Sequence, residues 1–260
     1  MKKTVLIDGD QFLFTATAAI EEEVRWDEFN HVLFSNSAKA WDNFVGMMDR
    51  ILERFETTKS VLCFSATYGD TPNFRLGVDP TYKNHRANSR KPLCYADLRE
   101  RCNSEYNVVS FPGLEADDVM GILATQPSKH QKIIVSQDKD MKTIPTTVWN
   151  GKDLVTYTEA EADYWHMYQT LVGDTADGYK GCPGIGQVKA EKLLTSKAHA
   201  DCGDPGCCPD NPGFWPRVVA AYEKASLTEE DALVQARLAR ILRWGDWDNE
   251  RKQPILWSPA

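Results

Sequence analysis

Carboxylates recur where short apolar runs stop. Asp8 follows TVLI (4–7), Asp70 lies in the loop after VLCF (61–64), and Glu115, Asp117 and Asp118 open the segment after NVVSF (107–111). Asp138 and Asp140 follow KIIVS (132–136), and Asp174 and Asp177 stand in GDTADG. Any one of these alone reads as an ordinary loop or helix-cap residue. Jointly they point to the carboxyl edge of a sheet, where open α/β proteins hold their ligands. Like charges roughly 4 Å apart cost on the order of several kcal/mol when partly buried, so convergence there calls for cations. An all-oxygen donor set suits hard ions, Mg²⁺ or Mn²⁺, over zinc. Two such ions roughly 3.5–4 Å apart can activate a water and stabilise a leaving phosphate oxygen.

Two other segments have phosphate-binding chemistry. TYKNHRANSRKP (81–92) carries Lys83, Arg86, Arg90 and Lys91 with no acid, in a chain whose net charge is −8. A solvated basic loop is the bland reading of such a run, but Tyr82 beside Lys83 adds a side chain able to stack on a displaced base. GCPGIGQVKAEKLL (181–194) places Gly181, Gly184 and Gly186 ahead of a helix start, with Lys189 and Lys192 one turn apart. Such a hairpin can turn backbone N–H groups toward phosphate without reading sequence, although a purely structural helix-hairpin-helix is the alternative.

The four apolar runs are β-branched or aromatic with helical patterns between them. They predict an α/β fold with a central, mainly parallel sheet flanked by helices. Trp41, Phe44, Val45, Met48, Ile51, Leu52 and Phe55 fall at helical spacing after Ser35-Asn36-Ser37, which predicts a core-packing helix over about 38–55. Thr158-Glu159-Ala160-Glu161 and Thr228-Glu229-Glu230-Asp231 are capping boxes, so the C-terminal third is expected to be helical. The expected organisation is an α/β core over 1–157, including residues 79–92, and a helical region over 158–260. Within the latter, a helix-hairpin-helix spans about 171–196 and a Gly, Pro, Asp and Cys-rich insertion spans 198–213, all forming one integrated catalytic domain.

With 42% hydrophobic residues, the composition excludes disorder, collagen and coiled coil. No stretch approaches the roughly 20 apolar residues of a membrane span, and a cytoplasmic protein without membrane association is expected. The net charge argues against nucleic acid only at first sight: setting eight metal-site carboxylates aside leaves 30 acids against 30 bases. Seven scattered cysteines make poor material for disulfides and are expected to be mostly buried thiols. His199, Cys202, Cys207 and Cys208 lack the paired spacing of a zinc site.

In order along the chain, LIDGD (6–10), NFR (73–75), VDPTYKNHR (78–86), LEADDVMG (114–121), SQDKDMKTIP (136–145), GDTADGYKG (173–181), PGIG (183–186) and LARILRW (238–244) resemble the flap endonuclease, or 5′-nuclease, superfamily. Within it, the set is more closely similar to the short 5′→3′ exonucleases of T-odd coliphages. The resemblance implies that Asp8, Asp70, Glu115 and Asp117 hold one metal with Asp138 adjoining, and that Asp138, Asp140, Asp174 and Asp177 surround a second. Asp70 takes the place of an FDA aspartate, because this chain reads Phe64-Ser65-Ala66.

The resemblance further implies that Lys83 and Arg86 are the catalytic cationic residues of a helical arch that contact the scissile phosphate, with Tyr82 as its aromatic. It makes 181–186 part of a three-helix DNA clamp, which in related enzymes also holds K⁺ through carbonyls. The implied activity is a Mg²⁺-dependent, two-metal 5′→3′ exonuclease on duplex DNA with 5′ ends, nicks or flaps, extending to RNA–DNA hybrids. It would act as a monomer, in the host cytoplasm if phage-encoded. A haloacid-dehalogenase phosphatase is the rival enzyme, but Phe12 stands where that family needs Thr or Val. A PIN-type ribonuclease lacks the C-terminal clamp. A non-catalytic structure-specific DNA-binding protein would have no use for all eight carboxylates.

Overall fold

The computed structural model describes residues 2–66, 71–86, 89–195 and 213–259. Asp70 and the insertion with His199, Cys202, Cys207 and Cys208 lie outside the described residues. At the centre is β1 (Lys3–Asp8), whose Val5, Leu6 and Ile7 are all buried. Only a strand covered on both faces has use for such a run. It pairs in parallel with β4 (Ser60–Cys63) and β6 (Gln131–Val135). β5 (Val108–Val109) and β7 (Thr147–Trp149) extend the sheet in parallel, and β8 (Leu154–Thr156) closes it antiparallel, giving the order β5-β4-β1-β6-β7-β8.

The period-2 alternation of strand side chains divides the core into two layers. Val5, Ile7, Ile133 and Val135 pack with α1 (Gly9–Ala18), α2 (Ser37–Phe55) and α3 (Tyr95–Glu105). Leu6 and Ile134 pack on the opposite side with α4 (Ala116–Thr125) and with Ile241, Leu242 and Trp247. The periodic helix starts as expected: Asn36 accepts from Lys39 N–H at 3.0 Å, and Trp41, Phe44, Met48, Ile51 and Phe55 are buried. Between α1 and α2 the chain forms a hairpin, β2 (Glu22–Arg25) and β3 (His31–Phe34), that leaves Trp26 and Phe29 exposed.

The C-terminal third is helical. α5 (Glu159–Val172) begins at the Thr158 capping box, α6 (Gln187–Leu194) follows the glycine hairpin, and α7 (Phe214–Lys224) precedes α8 (Glu229–Ala239), whose box is set by Thr228. Met167, Leu171, Ala190, Val218, Tyr222 and Ala232 form their common core. Cys63, Cys102 and Cys182 are buried thiols and Cys94 is half-buried.

One expectation fails in form. The helical arch over 79–92 contains a single 3-10 turn, Asn84–Arg86, among the described residues. That segment lacks an apolar period on which a helix could pack, and Lys83 takes a left-handed φ of 53°.

Behind α4 the chain end returns to the core. Arg75, buried, donates to both Asp118 oxygens at 2.7 and 2.8 Å and to the carbonyls of Leu238 and Arg240 at 3.0 and 2.6 Å. Asp118 also accepts from Leu242 N–H at 3.1 Å. The Leu242 carbonyl lies so close to Gly121 that a Cβ there would meet it at 2.3 Å.

Candidate active site

The strand ends deliver the carboxylates to one edge, and local hydrogen bonds fix how they are presented. Asp8 ends β1, accepts from Gln11 N–H at 3.0 Å at the start of α1, and accepts from Ser136 Oγ at 3.0 Å. Asp138 accepts from Asp140 N–H at 2.7 Å. Asp174 accepts from Ala176 N–H at 2.7 Å. The capping roles foreseen for isolated aspartates are real, and each one aims the second carboxylate oxygen. Ser65, at the FDA position, accepts from Ala116 N–H at 3.1 Å and so caps α4.

Charge is balanced unevenly. Burial, only partly offset by the Gln11 N–H, pushes the Asp8 carboxyl up to about 6, with Asp10 and Asp138 adding to the rise. Burial, then Asp8 and Asp138, pushes Asp117 up as well. Burial and Asp138 carry Asp140 to about 7. Among the described residues no side-chain cation pairs with Asp8, Asp117 or Asp138. Glu115 is the opposite case. Burial would raise it, but Lys83 and Arg75 outweigh burial and hold it at about 2.

Residues 82–86 enter this pocket. Lys83 Nζ lies 2.6 Å from Glu115 Oε1 and 3.2 Å from Asp177 Oδ1, and Arg86 reaches Asp177 at 3.2 Å. Tyr82 is buried, its hydroxyl 2.9 Å from Glu115 and 3.3 Å from Asp177. The stacking surface expected of Tyr82 is therefore not offered: its ring packs with Tyr179, Leu238 and Ala239. Arg90 is turned away, paired with Glu21, which also accepts from Leu93 N–H at 2.7 Å. Lys91 lies over the Tyr95 ring. On the far side, Lys139 bonds Asp174 at 2.7 Å and the Gln169 amide donates to Asp140.

The glycine hairpin is built by close backbone approach. A Cβ at Gly173 would meet the Lys180 carbonyl carbon at 2.4 Å, and one at Gly181 would meet Gly173 N at 2.4 Å. Gly184 (φ 73°) and the α6 N-cap Gly186 have open space around them, and no side chain caps the α6 N–H groups. Lys189 folds onto the Gly184 carbonyl at 2.8 Å, and Lys192 lies on the same helix, exposed.

As they stand, no three Asp, Glu, His or Cys side chains among the described residues are drawn together tightly enough to hold an ion. Lys83 and Lys139 reach into the cluster as internal counterions, and Asp70 is not described. The donor set nonetheless fits hard cations: Asp138 adds to the rise of both Asp8 and Asp117, and all three are oxygen ligands.

The profile of the 5′-3′ exonuclease N-terminal resolvase-like domain matches residues 3–166. The exodeoxyribonuclease of Enterobacteria phage T3 is 32% identical over 99% of this chain and 93% of its own length. The chain belongs to the 5′-3′ exonuclease family. This nuclease is equally similar to the exonuclease of Escherichia phage T7, 32% identical over 99% of this chain and 94% of that one. Its fold matches the bacteriophage T5 D15 flap endonuclease, solved in a pseudo-enzyme-product complex with DNA and metal ions, at TM-score 0.58 and 15% identity over 90% of this chain and 89% of that one. The T5 5′-exonuclease with zinc bound matches at TM-score 0.57 over 92% and 93%. As a member of the family, the exonuclease is a 5′→3′ phosphodiester hydrolase, so the phosphatase and non-catalytic readings fall away.

Sequence reasoning missed Arg75 and Asp118 as a pair. Asp118 was visible among the acids opening α4, but nothing local marks an arginine 43 residues upstream as its partner. It also missed Asp10, which accepts from Tyr95 OH at 2.6 Å and Ser65 N–H at 3.0 Å, tying α3 and the end of β4 to α1.

Proposed function

We propose that this nuclease requires divalent metal and digests duplex DNA from 5′ ends, leaving 5′-phosphorylated products. What carries the reading is the convergence of Asp8, Asp117 and Asp138 from three elements without a side-chain counterion among the described residues, two of them pushed to raised pKa. Asp8, Asp70, Glu115 and Asp117, with Asp138 adjoining, would hold one Mg²⁺; Asp138, Asp140, Asp174 and Asp177 would surround the second, with Mn²⁺ as a substitute. When bound, such ions supply an ionised water and neutralise charge on the leaving oxygen.

The chain's own residues position and neutralise. Lys83 and Arg86, held at Glu115 and Asp177, stand ready to exchange carboxylate for the reacting phosphate and offset its developing charge. The Asp8–Ser136 and Asp174–Ala176 hydrogen bonds keep the carboxylates preorganised. The uncapped α6 N–H groups, Gly184, Gly186, Lys189 and Lys192 grip duplex backbone, in the manner of a three-helix clamp that could also take K⁺ on its carbonyls. Lys91 adds positive charge at the arch base, and Arg90 would add its own on leaving Glu21. Residues 1–157 and 158–260 act as one catalytic domain, supported by the contacts of Tyr82 and Tyr179 with Leu238 and Ala239. No helix among the described residues is long and apolar enough to cross a membrane, and we place the enzyme as a monomer in a host cytoplasm. In a phage its tasks would be primer removal, recombination and host-DNA degradation.

The test is release of nucleotide from 5′-labelled duplex with Mg²⁺ or with EDTA. Metal-dependent release is expected; release unaffected by EDTA overturns the reading. Blunt, nicked, flapped and RNA–DNA hybrid substrates run side by side rank the preferred end.

A further inference from the structure

Behind Asp8 lies a second concavity, open to solvent on one side. A cavity of about 370 Å³ opens between α1, α2 and the ends of β6 and β7, a volume suited to a small ligand. Among its lining residues there is no Asp or Glu, in a chain of net charge −8. It contains two guanidiniums instead, Arg50 and Arg54, one helical turn apart on α2. Neither takes part in an ion pair among the described residues. Another cavity of similar size, about 390 Å³ beside Lys139 and Lys152, carries Asp138 and Asp153 and so lacks this one-sided charge.

The remaining wall is mixed as a nucleotide requires. Gln11 gives its carbonyl oxygen to Gln137 N–H at 3.0 Å, which leaves its amide NH₂ as a donor, and Thr15 adds a hydroxyl. Phe12, Met47 and Ile51 are apolar. Trp149 lies with Arg54 5.0 Å from its ring centroid, and its indole nitrogen is buried without a hydrogen-bond partner. At the mouth Gly151 adopts φ 96°, where a Cβ would press the Gln137 amide at 3.3 Å. The cavity also shares a wall with the carboxylate site: Gln11 and Ser136, both lining it, donate to the two oxygens of Asp8.

We propose that this cavity is a nucleotide-phosphate subsite, in which Arg50 and Arg54 take the phosphate and the Trp149, Phe12 and Met47 wall takes sugar and base. Two guanidiniums offer fork-shaped donors matched to a phosphate, and the absence of acid removes the repulsion that an anion meets elsewhere on this chain. The occupant is either a released 5′-mononucleotide or one nucleotide of the bound strand.

Calorimetry on the full-length protein separates these sources. Thymidine 5′-monophosphate, thymidine and inorganic phosphate are titrated in Mg²⁺ and again in EDTA, where binding does not depend on the carboxylate site or on the proposed metal-dependent activity. The expected result is binding of the monophosphate in EDTA that weakens at least tenfold in the Arg50→Ala/Arg54→Ala double variant, with circular dichroism unchanged, and weaker binding of thymidine. Duplex DNA is titrated in parallel. A tenfold loss confined to the duplex assigns the subsite to a nucleotide of the bound strand. Unchanged affinity of the double variant for both ligands, or equal affinity for thymidine and its monophosphate, overturns the proposal. Arg50→Gln with Arg54→Gln repeats the comparison should the alanine variant fail to fold.

Discussion

Glu115 and Asp8 stand at the same sheet edge, yet burial leaves them in opposite states. Glu115 meets Lys83 and Arg75 and is held at about 2; Asp8, buried beside Asp10, Asp117 and Asp138 and in no ion pair among the described residues, rises to about 6. One half of the pocket is neutralised from within, by the 82–86 segment, and the other half waits for charge from outside. Burial alone therefore does not set the charge state of a carboxylate; the sign of what is buried with it does.

The most drastic way to break this picture is to remove a carboxylate from the unpaired side or its neighbour across the pocket. Asp140→Asn or Asp177→Asn should lower single-turnover cleavage with Mg²⁺ by on the order of 1,000-fold while duplex affinity changes little. Unchanged turnover in either variant removes that residue from the site. Lys83→Ala should cost on the order of 100-fold in rate and much less in binding, and an equal loss in both would mean that Lys83 only positions phosphate.

Stability should split the two halves more finely. In EDTA, Glu115→Gln leaves Lys83 and Arg75 short of a counterion and should lower Tm by several degrees, at about 3 kcal/mol for breaking a buried pair. Asp117→Asn removes a repelling charge and should raise Tm by on the order of 3 °C under the same conditions. A fall in both would show that the Asp117 side is also internally paired.

The smallest effect is in pH. Asp140 rises to about 7 in the folded chain, from an ordinary value of 3.8, so its ionised form is disfavoured by folding. Its stability contribution is complete below about pH 4 and lost as pH climbs through 7. Buried His166, held neutral well below its usual range by burial and by Arg240, loses stability in the other direction, as pH falls below 6.5. The Tm difference between Asp140→Asn and the parent in EDTA cancels the histidine. It should be smallest at about pH 4, grow as pH rises toward 7 and be largest at about pH 8, and a flat difference would contradict the raised value.

Much of this was legible in the chain. The strand at 4–7, the α2 stripe and both Thr capping boxes depend on near neighbours, and local pattern is enough to find them. The carboxylates could be assigned to one edge because each follows an apolar run. Their pairing could not be read. Lys83 reaching Glu115 across 32 residues, Arg90 turning to Glu21 across 69 and Arg75 finding Asp118 are tertiary choices without a periodic signature. Tyr82 misled for a related reason: an aromatic among lysines and arginines looks exposed, but its hydroxyl is recruited by Glu115 and its ring by the C-terminal helix. The β2–β3 hairpin and β7–β8 were missed because short strands with mixed side chains carry weak alternation.

The return of residues 238–242 to Arg75, Asp118 and Gly121 has a consequence for how the enzyme is born. A nascent chain emerging N-terminus first can complete its six-stranded sheet before residues 238–242 have left the ribosome. Until that segment emerges, the guanidinium and carboxylate behind α4 lack their backbone partners, so assembly of the nuclease waits on a stretch that adds no strand to the sheet.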